Sequence, residues 1–338
     1  MGHTALDEVS ATGAFTRTDA GHRNTIDTEG PFAPEPNRYH LYVALACPWA
    51  CGTLSALYMK GLDKVIGYSI AHPTWRRTRP DDADDQHCGW HFRKPGHPPV
   101  SNENGYGANE VDDVCTGDRV NGCATARDIY ELAKDTHGKY STPILFDTKT
   151  NSIVSNESMD ILRILNTAFN EHAEHPEVDL FPAGDADALT TKYNEWIYPC
   201  INDGVYRSGF ARSQEAYEDA VGKLFDSLDR CEEILSKSRF LTGSQFTWLD
   251  LRLFHTLVRF DPVYHTYFKC NKKRIQDYTH LPNFVRDVYQ MEPIKRSINM
   301  KHIKMHYFTS HPVLNAFGVI PASNGFDLDV PHSREKLE

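Results

Sequence analysis

The sequence predicts an α/β domain followed by an all-helical domain. Three observations point there. An apolar strand at 39–44 runs into a helix through "CPWA". A second strand-to-helix passage, "NSIVSNESMDILRILN", follows a strand opened by Thr142-Pro143. Beyond "EHPEVDLFPAG" the chain reads as helix, with apolar residues spaced by three and four.

The elements follow in order. Residues 1–37 are polar and rich in Gly, Thr and Pro, and are expected to form an extended arm wrapping the first domain. Strand 39–44 leads to a helix over 53–60 with Gly61 as its C-cap. "VIGYSIA" supplies a second strand. Residues 73–124 are rich in Pro, Gly, Asp and His and lack periodicity, so a long loop is expected, of the kind that often carries function. A helix near 125–134 precedes the strand "STPILFD". A further strand ends near Val154, and a helix starts at Ser158. The order β-α-β, helix, β-β-α is the thioredoxin pattern, in which a cis-proline, here Pro143, faces the N-terminal cysteine. In "AYEDAVGKLFDSLDRCEEIL", Tyr217, Val221, Leu224, Leu228, Cys231 and Leu235 form one helical face. Thr247 and Asp250 form a capping box that opens a buried helix.

The domains are thus expected at 38–170, with the loop 73–124, and at 185–338. A length of 338 residues suits two cores. The formal charge of −10 argues against a nucleic-acid partner. No stretch approaches the ~20 apolar residues of a membrane span, and "MGHTALDEVSATGAF" lacks a signal core. Leu6 stands where a myristoylation signal needs Ser or Thr. Eight cysteines spread over the chain suggest a reducing, cytoplasmic setting.

Cys47 sits at a strand-to-helix junction, where the helix N-terminus lowers a thiol's pKa. Pro48 pre-sets φ as the helix opens. An arbitrary cysteine is most often a small buried hydrophobe; the strand–Cys–Pro–helix setting favours a nucleophile. Cys51, one turn on, is either a resolving thiol or core filler against the sheet, and the filler reading is the stronger. Glu157 and Ser158 at a helix start can grip an α-amino and an α-carboxylate group, or simply cap the helix. Tyr206, Tyr264 and Tyr307 lie in polar surroundings, and nothing local separates them from core tyrosines. "HCGWH" at 87–91, near His72 and His97, matches no zinc spacing, so no metal is expected. Cys115 and Cys123 are expected to stay reduced.

Together "CPWA", "GWHF", "STPILFD", "IVSNES", "NEWIY", "NDGVYRSGFA", "LVRFDPVYHTYFKC", "RDVYQM" and "HIKMHYFTSH" resemble the glutathionyl-hydroquinone reductases, the xi class of the glutathione transferase superfamily. The resemblance runs from about Arg38 to His332. It implies a thioredoxin-like domain followed by an all-helical glutathione-transferase domain. It also implies a nucleophilic Cys47, Tyr206 as proton donor, and Tyr264 and Tyr307 as donors to the thiolate. Trp90, Glu157 and Ser158 would bind glutathione as co-substrate, and the segment Lys139, Tyr140, Ser141, Thr142 and Pro143 would pair with its backbone. The helical domain would form an aromatic-lined pocket and complete a homodimer. The substrates would be glutathionyl-hydroquinones, a role in quinone detoxification. Two departures stand out. Cys51-Gly52 replaces the usual His-Arg after "CPWA", and Lys139 replaces a usual Arg, which keeps the charge but loses the fork. The rival readings are an omega-like thiol transferase or dehydroascorbate reductase, and a non-catalytic binding module of the same fold.

Overall fold

In chain order the first elements are β1 (Tyr39–Val43), α1 (Pro48–Met59), β2 (Gly67–Ile70), β3 (His72–Arg77), β4 (Cys88–His91), α2 (Ala126–Leu132), β5 (Ile144–Asp147), β6 (Ser152–Ser155) and α3 (Ser158–Thr167). They come from a computed structural model that describes residues 2–181 and 183–337. Strands β2-β1-β5-β6 form one sheet, with β1 parallel to β2 and antiparallel to β5. Every residue of β1 is buried, as a central strand covered on both faces requires. This is the thioredoxin arrangement, and the Thr142-Pro143 bond before β5 is cis.

Helix α1 starts at Pro48, ahead of the expected Thr53, because the proline occupies the first turn and Cys47 is the extended N-cap. The stretch 73–124 is not structureless. Strands β3 and β4 pair antiparallel within it. Beyond them Asp118 accepts the backbone N–H groups of Val120, Asn121 and Cys123 and the hydroxyl of Tyr42. A carboxylate that gathers four donors orders a loop without any hydrophobic period.

Further elements are α4 (Asp185–Ile197), a π-helical turn at Tyr198–Asn202, α5 (Gly204–Gly209), α6 (Gln214–Leu235), α7 (Trp248–Leu257), a second π turn at Phe260–Tyr264, α8 (His265–Tyr267), α9 (Leu281–Tyr289), α10 (Glu292–Lys295) and α11 (Met300–Thr309). On α6, Val221, Leu224, Leu228, Cys231 and Leu235 are buried, as the spacing predicts, while Tyr217 in the first turn is half-buried. The box at Thr247 and Asp250 is present: Asp250 accepts from the N–H and hydroxyl of Thr247 at 3.0 and 2.7 Å.

The chain divides into two units. Unit 1 is Met1–Asp7, Asp19–Val178 and Ser297–Pro321; unit 2 is Glu8–Thr18, Asp179–Arg296 and Ala322–Glu338. Residues 297–321, counted by sequence with the helical domain, therefore group with the sheet. There Thr74 Oγ1 lies 2.9 Å from Thr309 Oγ1, and the Trp75 N–H donates to Ser310 Oγ at 2.9 Å.

The arm also differs from expectation. Residues 22–24 line the edge of β6, with Arg23 bridging Ser155, but residues 8–18 belong to unit 2. They form a small hairpin in which Val9 bridges Phe15 and the turn closes at Gly13, whose φ is +82°. A Cβ there would stand 2.9 Å from the Ser213 nitrogen, so only glycine suits the position.

Candidate active site

In unit 1 the junction of β1 and α1 presents Cys47 as the N-cap of a twelve-residue helix. Its Sγ donates to the Thr142 carbonyl at 3.4 Å. Cys47 is half-buried and packs at the edge of an apolar cluster that includes Tyr42, Ala46, Trp90, Tyr130 and Ile144; Tyr140 packs on the same cluster. The Thr142 hydroxyl is buried without a hydrogen-bond partner. Cys47, Trp90, Tyr140, Thr142 and Pro143 are thus neighbours of one another or of one cluster.

Ser141 and the start of α3 are linked through a buried relay. Tyr130 Oη donates to the Ser141 carbonyl at 3.0 Å, and Asn156 Nδ2 donates to Tyr130 Oη at 2.9 Å. Burial pushes the Tyr130 phenol up to about 12, so it stays a donor. Glu157 is the N-cap of α3, and its carboxylate accepts from Met159 N and Ser158 Oγ at 3.2 and 3.3 Å. One of its oxygens therefore already serves the helix. Lys139 forms a backbone bridge with His3. Tyr140 lies under Arg127, whose guanidinium carbon is 5.4 Å from the ring centre. On α11, His306 stacks on Trp90 at 4.4 Å, and the neighbouring Tyr307 is buried. Trp75 and His311 complete this aromatic group, with Trp75 edge-on to Trp90 at 5.4 Å.

In unit 2, Tyr206 stands on α5 and Tyr264 ends the second π turn, with ring centres 6.0 Å apart. Phe268 stacks on Tyr264 at 5.4 Å and meets Tyr206 at 5.5 Å; Phe210 lies 5.1 Å from Phe268. Gly209 lets these rings close up, since a Cβ on it would fall 2.1 Å from Phe268.

Cys51 is fully buried and its thiol donates to the Leu45 carbonyl at 3.0 Å, the placement of core filler. Among the described residues the group whose ligand atoms converge as for a metal is Asp112, Cys115 and His302, not the "HCGWH" stretch. His302 Nε2 lies 3.0 Å from Asp112 Oδ1 while its Nδ1 is buried without a partner. Metal at Nε2 would leave a buried Nδ1–H with no acceptor, against the usual second hydrogen bond of a ligating histidine. Asp112 instead fastens α11, hydrogen-bonded to His302 through one oxygen and paired with Lys301, 3.4 Å away, through the other. Cys115 spends its thiol on Asp112 at 3.7 Å.

Residues 214–286 match the family profile of the glutathione S-transferase C-terminal domain. The chain is 41% identical over 345 residues to the glutathionyl-hydroquinone reductase YqjG of Escherichia coli K12, covering 98% of this chain and 95% of that protein. It belongs to the glutathionyl-hydroquinone reductases. These are xi-class members of the glutathione transferase superfamily. The glutathione-bound structure of YqjG superposes on this reductase with a TM-score of 0.80 at 40% identity, covering 93% of this chain and 96% of that one. A glutathione S-transferase omega-like 2 from Schizosaccharomyces pombe is 37% identical, over 93% of this chain and 95% of that protein. Sequence alone misses three features of the two candidate clusters: the Tyr130–Asn156 relay and the stacking of His306 on Trp90 in unit 1, and Arg17 over the Tyr206 ring in unit 2. Asn156 stands directly before Glu157 in "SNES"; the other two carry no local signal.

Proposed function

We propose that this reductase binds glutathione and converts glutathionyl-hydroquinones to hydroquinones, releasing glutathione disulfide. The observation that carries the reading is Cys47: a half-buried thiol capping the N-terminus of α1, beside the Thr142 carbonyl. The helix dipole favours its thiolate. The thiolate attacks the sulfur of the glutathionyl group, forming a Cys47–glutathione disulfide. The carbon–sulfur bond breaks, its electron pair leaves with the aromatic ring, and Tyr206 protonates that carbon. A second glutathione thiolate attacks the glutathionyl sulfur of the mixed disulfide and restores Cys47. Tyr264 and Tyr307 donate to the thiolate.

Trp90, Glu157 and Ser158 bind glutathione, the last two at its γ-glutamyl end, and Lys139, Tyr140, Ser141, Thr142 and Pro143 align the peptide. The Thr142 hydroxyl, buried and unpartnered, supports this assignment, because a polar peptide would satisfy it. The enzyme would work as a cytoplasmic homodimer; light scattering on the purified protein tests the oligomeric state.

The deciding experiment is turnover of glutathionyl-menadiol with excess glutathione, comparing wild type with Cys47→Ala. Free menadiol from wild type only is the expected result. Equal release by the variant would remove Cys47 from the mechanism. The omega-like relative supports a second reading, reduction of mixed disulfides or dehydroascorbate by the same thiol. Turnover of those substrates, with none of the aryl thioether, would select it.

A further inference from the structure

Arg17 has no part in the reaction as written, yet its guanidinium is paired with Asp203 beside the Tyr206 ring. The hairpin at 8–18 delivers it. The hairpin is docked by main-chain and side-chain bonds: Arg212 N donates to the Gly13 carbonyl at 2.8 Å, and Ser213 Oγ to the Thr12 carbonyl at 2.9 Å. Phe15 packs edge-on against Phe210 at 5.5 Å. Glu8 ties the two limbs together, accepting from the Thr18 N–H at 3.3 Å.

The guanidinium then meets two residues three apart on one helix. Its Nε donates to Asp203 Oδ1 at 2.6 Å. Its central carbon lies over the Tyr206 ring, 4.9 Å from the centre. Asp203 opens α5, and its carbonyl accepts the Tyr206 N–H at 3.0 Å. One cation thus fixes both the carboxylate that starts the helix and the phenol one turn on.

We infer that Arg17 is a positioning residue for Tyr206: it holds the phenol ring and, as a fixed positive charge beside it, makes its proton easier to release. Burial works against the Arg17 charge, but Asp203, Tyr198 and Tyr206 together hold its pKa above the ordinary value. Attraction between Arg17 and a Tyr206 phenolate is the same interaction seen from the other side. Around Tyr206 stand Arg17 from the hairpin, Asp203 at the start of its own helix and Tyr264 from the second π turn, while Tyr198 from the first π turn acts on Arg17. Phe210 and Phe268 are neutral. Arg17 and Asp203 therefore act on the phenol with opposite signs.

The inference rests on the proposed role of Tyr206 only for its kinetic consequence. The charge effect is read on the resting enzyme. Label the tyrosines with 13C at Cζ, assign the Tyr206 signal by its loss in Tyr206→Phe, and titrate the full-length protein. Relative to wild type, Arg17→Gln should raise the Tyr206 midpoint by about one pH unit, Asp203→Asn should lower it, and Arg17→Lys, which keeps the charge, should fall between wild type and Arg17→Gln. With glutathionyl-menadiol, Arg17→Gln should lower kcat about tenfold with little change in KM for glutathione. It should have no added effect in a Tyr206→Phe background. A Tyr206 midpoint unmoved by Arg17→Gln and Arg17→Lys would overturn the inference. So would a shift of the same sign in the Arg17→Gln and Asp203→Asn variants. A shifted midpoint in an enzyme that does not turn over the thioether would sustain Arg17 and overturn the reaction.

Discussion

Cys47 and Cys51 lie one helical turn apart and have opposite surroundings. Cys47 is half-buried at the N-cap, whereas Cys51 is fully buried with its thiol on the Leu45 carbonyl. A single equivalent of iodoacetamide should label Cys47 before any other α1 thiol, read by peptide mass mapping. Cys51→Ala should keep turnover and cost roughly 1 kcal/mol in denaturant melts, the loss of a small buried group and one weak hydrogen bond. Loss of turnover with the fold intact would restore Cys51 as a resolving thiol. The position of Cys47 was legible because Pro48 can only open a helix, not continue one. The burial of Cys51 was not fixed by its spacing, since a residue one turn into a helix faces either core or cleft depending on what packs above it. Arg17 was illegible for another reason: its partners, Asp203 and Tyr206, stand far along the chain, and no local pattern announces such a pairing.

At the scale of the element, close approach and capping set the geometry of unit 2. Gly209→Ala would drive a methyl into Phe268, whose ring and Cβ lie within 2.7 Å of the added atom. The variant should lose about 1–3 kcal/mol, measured by urea unfolding, and its ring cluster around Tyr206 should open. The Asp250 carboxylate accepts from Leu241 N at 2.8 Å as well as from Thr247. Asp250→Ala leaves those buried donors unmet and should cost about 2–3 kcal/mol. Helix α6 and this capping box were plain in the sequence, because a helix's apolar stripe and its cap are local. Strands β3 and β4 were not. Their residues do not alternate, since Pro73, Thr74 and Trp75 spend their polar groups on His306, Thr309 and Ser310 of the distant α11 and its end. The hairpin at 8–18 hid for the same reason: a short polar segment means little without its docking surface.

For the molecule as a whole, acid is the revealing stress. His40, His72, His87 and His311 are buried, and burial lowers each from the ordinary imidazole value to about 4. The unfolded chain takes up these protons near pH 6.5 and the folded chain does not. Stability should therefore be full above pH 6.5 and fall as pH drops towards 4, by up to about 3 kcal/mol per histidine. Asp112, held low first by its bond to His302, adds its own loss only below about pH 4, where the unfolded carboxylate takes up its proton. Asp250, raised to about 6 by burial, and Asp261, also raised by burial, work the other way, their penalty easing as pH falls, but the buried histidines, His255 of unit 2 among them, outnumber these two. Melting temperature measured from pH 7.5 to 4.5 should decline mainly below 6.5; a flat profile would contradict the buried neutral imidazoles. The division into a sheet-bearing and a helical part was readable from periodicity, but the return of 297–321 to unit 1 was not, because α11 looks like any other helix until its partners on β3 are known. That return has a consequence for synthesis. A ribosome releases the chain from its N-terminus, so Pro73, Thr74 and Trp75 emerge long before the residues that satisfy them. Unit 1 begins first but cannot close until residue 321 has left the exit tunnel, and a nascent chain stalled at residue 296 should be cut by protease within β3 while the finished protein is not.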